Sequence, residues 1–106
     1  MIFLPINATI AEEKLTQYLL VPLLKDDKSK FLGQGGYILE NWRRLEADLR
    51  SQVLTQPAEF LEETPYGTKY RIKTILKSIN GLELPIITIW MITNKQAKFI
   101  TLIPDP

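Results

Sequence analysis

The sequence predicts an α+β fold: N-terminal helices packed on one face of a four-stranded antiparallel meander sheet. Two stretches predict the sheet and one predicts its cover. From Lys69 to Ile103 the chain is rich in β-branched and apolar residues interrupted by turn signals. Within that stretch stands Asn80-Gly81, the strongest short-range hairpin signal a sequence carries. Ahead of it, Trp42, Leu45, Leu49 and Val53 recur at helical spacing, with charged residues on the other faces.

Each element has its own local reason. Thr9-Ile-Ala-Glu12 has capping-box spacing, which predicts a helix from Thr9 to about Leu20 with Leu15, Tyr18 and Leu19 on one face. Pro22 stops it. Asp26 or Asp27 caps a short second helix that ends at Gly35-Gly36. Lys28 and Lys30 fall near its start, where the helix dipole disfavours cations. Either the two aspartates offset them or the lysines serve a purpose of their own.

Leu39 to Thr55 predicts the longest helix. Its Glu40–Arg44 and Glu46–Arg50 spacings favour ion pairs, about 0.3–0.5 kcal/mol each. Its Trp42 reads as core rather than as a stacking platform. Strands follow at Ala58 to Glu63, Thr68 to Ile79, Leu82 to Thr93 and Ala97 to Ile103. They are joined by Thr64-Pro-Tyr-Gly67, Asn80-Gly81 and Asn94 to Gln96, and Pro104 terminates the last.

Composition bounds the chemistry. A length of 106 residues predicts one domain, 1–106. The formal net charge of +1 provides no global field for nucleic acid. The charge is nevertheless uneven: residues 1–67 hold 7 basic and 10 acidic side chains, residues 68–106 hold 6 and 2. That asymmetry points to an anionic partner on the second half, or to halves that neutralise each other on folding.

Cysteine and histidine are both absent, which excludes disulfides, thiolate metal sites and every Ser-His or Cys-His arrangement. Catalysis would have to use Lys, Arg, Tyr, Thr or carboxylates. No Gly-rich phosphate loop is present, and no cofactor or metal is expected. Met1-Ile-Phe-Leu-Pro5 is too short for a membrane span and lacks a basic flank. The expectation is a cytoplasmic protein with no membrane partner.

A two-residue Asn80-Gly81 turn would set Ile79 opposite Leu82. Tyr70, Ile72, Thr74 and Leu76 would then share the core face with Met91, Ile89, Ile87 and Pro85. The other face would pair Arg71 with Trp90, Lys73 with Thr88 and Lys77 with Leu84. A last loop of two or four residues adds Phe99, Thr101 and Ile103 to it, and Lys69 lies there opposite Glu62, the one carboxylate placed on that face. Such a surface suits a phosphate-bearing ligand, with cations for phosphates and rings for bases. It equally suits a protein partner, or a half-exposed sheet face whose Lys and Arg stems cover the aromatic rings.

The order of signals carries a resemblance. Lys14-Leu-Thr-Gln-Tyr-Leu-Leu20 comes first, then Lys28-Ser-Lys-Phe31 before a glycine. Thr64-Pro-Tyr-Gly-Thr-Lys-Tyr70, Asn80-Gly81, Thr88-Ile-Trp90 and Phe99-Ile-Thr-Leu102 follow. From Lys14 to Pro104 the chain resembles a small bacterial domain family, abundant in cyanobacteria, that is similar to C-terminal domains of polymorphic toxins. Its helices-then-sheet order is similar to the ribonuclease toxin fold of barnase, the RelE toxins and the colicin nucleases.

The resemblance implies a metal-independent endoribonuclease of a toxin–antitoxin or polymorphic-toxin system, with a cognate antitoxin or immunity protein as partner and RNA as substrate. It implies Lys28 or Lys14 as base or phosphate holder, Arg71 and Lys73 as phosphorane stabilisers, and Thr88 and Thr101 as hydrogen-bond donors. Tyr66 or Trp90 would stack a base, with Lys69 and Phe99 completing the binding surface. The alternative is a non-catalytic module that binds a protein through the exposed sheet face.

Overall fold

The computed structural model describes residues 2–106. The fold is α+β, with helices covering one face of an open antiparallel sheet of order β1-β2-β3-β4. Helix α1 begins at Glu12–Lys14 and continues as a wider turn over Leu15–Leu19, closed by Leu20 N–H donating to Leu15 C=O. Helix α2 is Ser29–Gln34. Helix α3 is Trp42–Asp48, entered by a tight turn over Leu39–Asn41 and ending in a wide turn over Leu49–Val53. The strands are β1 Glu59–Thr64, β2 Gly67–Lys77, β3 Glu83–Thr93 and β4 Gln96–Pro104.

Local chemistry explains most boundaries. Lys28, not Asp26 or Asp27, takes the cap position of α2, and Asp27 Oδ1 just before it accepts from Ser29 N–H and Oγ. Gly36, at φ +92°, ends that helix, and Tyr37 N–H closes back on Leu32 C=O. Thr9 departs from its expected capping role. It lies in parallel beside β4, donating to Ala97 C=O at 2.9 Å and accepting from Phe99 N–H at 2.8 Å. Ala11 takes the cap position without a side-chain bond. Pairing Thr9 with the sheet edge satisfies a strand donor and acceptor that would otherwise lie open.

Of the two expected α3 ion pairs, Glu46–Arg50 forms at 3.2 Å, and the same guanidinium donates to the carbonyls of Ile6 and Ala8. Glu40–Arg44 does not form. Glu40 falls in the entry turn, and Arg44 reaches forward to Asp48 at 3.2 Å. Asp48 is buried and also accepts from the Tyr37 hydroxyl.

Burial first, and then the hydrogen bond and charge of Asp48, push the Tyr37 phenol well above its ordinary value of 10.0. A raised folded value adds stability in full below the ordinary value. That stability is lost as pH rises through the folded one. Tyr37→Phe is therefore expected to cost about 1–3 kcal/mol at neutral pH by leaving the buried carboxylate short of a donor. It should also flatten the fall in stability above about pH 10. Urea unfolding at neutral and alkaline pH checks both; unchanged neutral stability would show that Asp48 needs no phenol.

The strand register departs from expectation in a way that moves function. In β2–β3, Lys77 faces Glu83, and every pair to Thr68–Ile92 follows from it. Ser78 N–H donates to Leu82 C=O and Gly81 N–H to Ser78 C=O, so the loop holds Ile79, Asn80 and Gly81, with Gly81 at φ +90°. This is the three-residue hairpin, a turn followed by a left-handed residue.

Tertiary contacts select it. Asn80 donates from its side chain to Gln34 C=O at 2.6 Å and from its backbone to Gly35 C=O. A one-residue change of register turns every β3 side chain to the other face. The core face therefore carries Leu84, Ile86, Thr88 and Trp90 rather than Pro85, Ile87, Ile89 and Met91.

The last hairpin has a two-residue loop, Asn94-Lys95, between Thr93 and Gln96, one of the two lengths left open by the sequence. A bulge at Ile100 then inserts one residue, so Phe99 pairs with Trp90 while Thr101 pairs with Ile89. Phe99 points into the core because it pairs with the inward-facing Trp90, and the bulge puts Thr101 on the opposite, outer face. A second bulge at Leu61 leaves Glu62 opposite Lys69 as expected, but sets Phe60 against Tyr70 and Glu59 against Arg71. The resulting core joins Leu15, Leu19, Leu32, Leu45, Leu49 and Val53 of the helices to Ile72, Ile86, Trp90, Phe99 and Leu102 of the sheet.

Candidate functional site

The new register redistributes the expected site residues. Thr88, Trp90 and Phe99 are buried and leave the ligand-facing set. Trp90 Nε1–H donates to Thr88 Oγ1 at 2.8 Å, and its ring meets Phe99 edge-on at 5.2 Å. These side chains are packing partners, because the three-residue loop turns Thr88 and Trp90 inward and Phe99, paired with Trp90, goes with them.

Lys69, Arg71 and Lys73 do lie on the outer face, yet each has a carboxylate. Glu62 is 3.8 Å from Lys69, Glu59 is 3.5 Å from Arg71 and Asp105 is 3.5 Å from Lys73. The outer face was expected to carry only Glu62; the Leu61 bulge and the position of Asp105 past β4 add the other two. Between Arg71 and Thr101 stands Ile89, one strand from each. Two strand spacings put their backbones roughly 10 Å apart. Arg71 and Thr101 therefore do not converge on one atom.

Lys14, Lys28 and Thr101 converge instead on Tyr18. Lys14 and Tyr18 are one turn apart on α1, Lys28 sits at the entry to α2, and Thr101 follows the β4 bulge. Lys28 Nζ donates to the Tyr18 hydroxyl at 2.8 Å. That hydroxyl is 2.9 Å from Thr101 Oγ1. The ammonium groups of Lys28 and Lys14 lie 5.0 and 5.7 Å from the Tyr18 ring centroid. Only 8% of Lys28 is exposed, and among the described residues neither Lys14 nor Lys28 has a carboxylate within ion-pair distance. The group opens on a depression of about 610 Å³, with Asp26, Ile100 and Ile103 on its walls.

The electrostatics follow from that geometry. Burial works against ionising Tyr18, but it is outweighed by the hydrogen bonds from Lys28 and Thr101 and by the charges of Lys28 and Lys14. The phenol is held below its ordinary value of 10.0. A phenolate here accepts from both Lys28 and Thr101, and hydrogen bonds to a charged form favour it. Such an arrangement can hold an anion beside two cations, or accept a proton on the phenolate oxygen.

Sequence reasoning missed Tyr18, because its spacing with Leu15 and Leu19 reads as a core stripe. The available signal was the Lys14–Tyr18 spacing, four residues apart on one helix face. Tyr66 lies apart from the cluster, at the β1–β2 turn and 77% exposed. Among the described residues no three His, Cys, Asp or Glu side chains gather as metal ligands would. No helix among them is long and apolar enough to cross a membrane.

Fold and site together define an α+β domain with an open sheet face and a lysine-flanked tyrosine at the edge of its last strand. The chain belongs to the family described as a domain of unknown function, DUF6883, whose model matches residues 6–106. Among curated proteins and among solved structures, neither comparison finds a match.

Proposed function

We propose that the chain is a toxin-type, metal-independent endoribonuclease acting through Tyr18, Lys28, Lys14 and Thr101. The observation that carries this reading is the buried Lys28 ammonium, without a carboxylate partner, donating to a tyrosine whose ionisation it favours. Histidine-free cleavage by the RNA's own 2′-OH needs a base, a cation at the phosphorane and a proton donor for the leaving oxygen.

The Tyr18 phenolate takes the 2′-OH proton while the 2′-oxygen forms its bond to phosphorus. The bond from phosphorus to the 5′-oxygen breaks, and Lys14 gives that oxygen a proton. A 2′,3′-cyclic phosphate and a 5′-OH result, and solvent exchange resets Tyr18 and Lys14. Lys28 holds the phenolate in place, and Thr101 donates to it. The resemblance to polymorphic-toxin domains supports this reading, and it implies a small antitoxin or immunity protein as cytoplasmic partner.

A second reading, a non-catalytic protein-binding module, has its own observation. The outer sheet face exposes Ile75 and Ile103, half-exposes Ile87, Ile89 and Met91, and pairs Lys69, Arg71 and Lys73 with carboxylates. Induced expression separates the two. The ribonuclease reading expects growth arrest and RNA fragments ending in 2′,3′-cyclic phosphate. Intact RNA with normal growth would overturn it and leave the outer face as the functional surface.

A further inference from the structure

We infer that the depression bounded by Tyr66, Met91, Asn94, Gln96 and Lys98 is a nucleobase subsite beside the Tyr18 cluster. The proposal rests on the ribonuclease reading for the identity of the ligand and on separate residues for its own geometry.

The depression has a volume of about 590 Å³ and lies at the end of the sheet, between the β1–β2 and β3–β4 turns. Ile100 lines both it and the Tyr18 depression, so the two adjoin across one side chain. Lys98 and Thr101, one on each side, are separated by a short run of β4 that includes the bulge residue. Strand rise puts their backbones roughly 7–10 Å apart.

Its wall has the chemistry that reads a base. Tyr66 offers an exposed ring, and aromatic rings stack bases of any sequence. Its backbone is held in place, since Thr93 Oγ1 donates to Tyr66 C=O at 2.6 Å. Asn94 opens the turn and Gln96 follows it, and among the described residues neither side-chain amide is engaged in a hydrogen bond. Amides pair with the donor and acceptor edges of bases, adenine above all.

Asn94 and Lys95 both adopt left-handed backbone, at φ 51° and 67°, as a two-residue hairpin turn requires. One amide thus lies within the turn, at Asn94, and the other just after it, at Gln96. Met91 supplies an apolar floor opposite Lys98, and the Lys98 ammonium is available for a flanking phosphate. A mononucleotide phosphate alone would need none of this wall; a single-stranded RNA passing the Tyr18 cluster would place a neighbouring base against it.

Binding of labelled 2′-O-methyl trinucleotides tests the subsite without relying on cleavage. Fluorescence anisotropy on the intact chain is expected to show a preference among the four bases. The double variant Asn94→Ala with Gln96→Ala should abolish that preference. Tyr66→Ala should weaken all probes by roughly 5- to 100-fold. These side chains are exposed, and thermal unfolding checks that each variant folds. If binding behaves this way but unmodified RNA stays intact, the ribonuclease reading falls and the subsite stands. Equal binding of all bases with no effect of the variants overturns the subsite even when RNA is cleaved. Failure of every probe to bind overturns it as well.

Discussion

Tyr18→Phe is expected to lower RNA cleavage by about 10²- to 10⁴-fold, the usual contribution of a positioned acid or base. The substitution removes one oxygen and keeps the ring over which Lys14 and Lys28 lie. The pH profile distinguishes a proton acceptor from a packing residue. In the wild type the rate should rise with pH along a limb set below the ordinary tyrosine value of 10.0.

Lys28→Gln removes the first of the groups that favour the phenolate, so the limb should move to higher pH as well as falling in height. Thr101→Val should move it the same way by less. Ultraviolet titration of the four tyrosines reads the same group without any substrate. The earliest phenolate to appear should be missing in Tyr18→Phe. If the early phenolate persists in that variant, another tyrosine carries it and the assignment fails. The stability sign follows as well: a lowered folded value adds stability above the ordinary one, and that gain is lost as pH falls through the folded value.

Trp90→Ala is expected to destabilise the fold by about 3–5 kcal/mol, a large fraction of the roughly 5–15 kcal/mol that holds a domain together. The indole is fully enclosed, meets Phe99 edge-on and donates to Thr88. Thr88→Val is the companion change. It leaves the indole N–H buried without an acceptor, at a cost of about 1–3 kcal/mol. Urea unfolding measures both. A Trp90→Ala protein with wild-type stability and only weakened ligand binding would mean that the indole faces outward, and the β2–β3 register would have to shift by one.

The β2 half of the sheet was legible in the sequence because strict alternation decides its faces. Tyr70, Ile72 and Leu76 point to the helices and Lys69, Arg71 and Lys73 point away, as expected. The β3 half was not. Asn80-Gly81 is compatible with a two-residue or a three-residue loop, and the two differ by one step of register. The choice depends on Asn80 reaching Gln34 and Gly35, which are distant in sequence. Phe99 pairs with Trp90 and so turns inward with it, while the extra residue at Ile100, which nothing in Phe99-Ile-Thr-Leu102 announces, leaves Thr101 on the outer face.

The candidate site shows the same division. Lys14, Lys28 and Thr101 could be picked out as residue types, and the unfavourable position of Lys28 near a helix start was a readable local conflict. Their common partner could not be read, because Tyr18 lies 10 residues from Lys28 and 83 from Thr101. Helical spacing gave Tyr18 an apolar stripe and said nothing of where its hydroxyl ends.

By itself, then, the sequence determined the class of fold, the order of its helices and strands, and the absence of histidine and thiol chemistry. Those follow from periodicity, turn residues and composition, which act over a few neighbours or over the whole chain at once. Only the tertiary structure decided which face Trp90 and Thr88 occupy, and that Lys28 and Thr101 meet at the Tyr18 hydroxyl with Lys14 near its ring. Register and convergence depend on contacts between distant segments, where one residue more in a loop or bulge exchanges the inside of a strand for its outside.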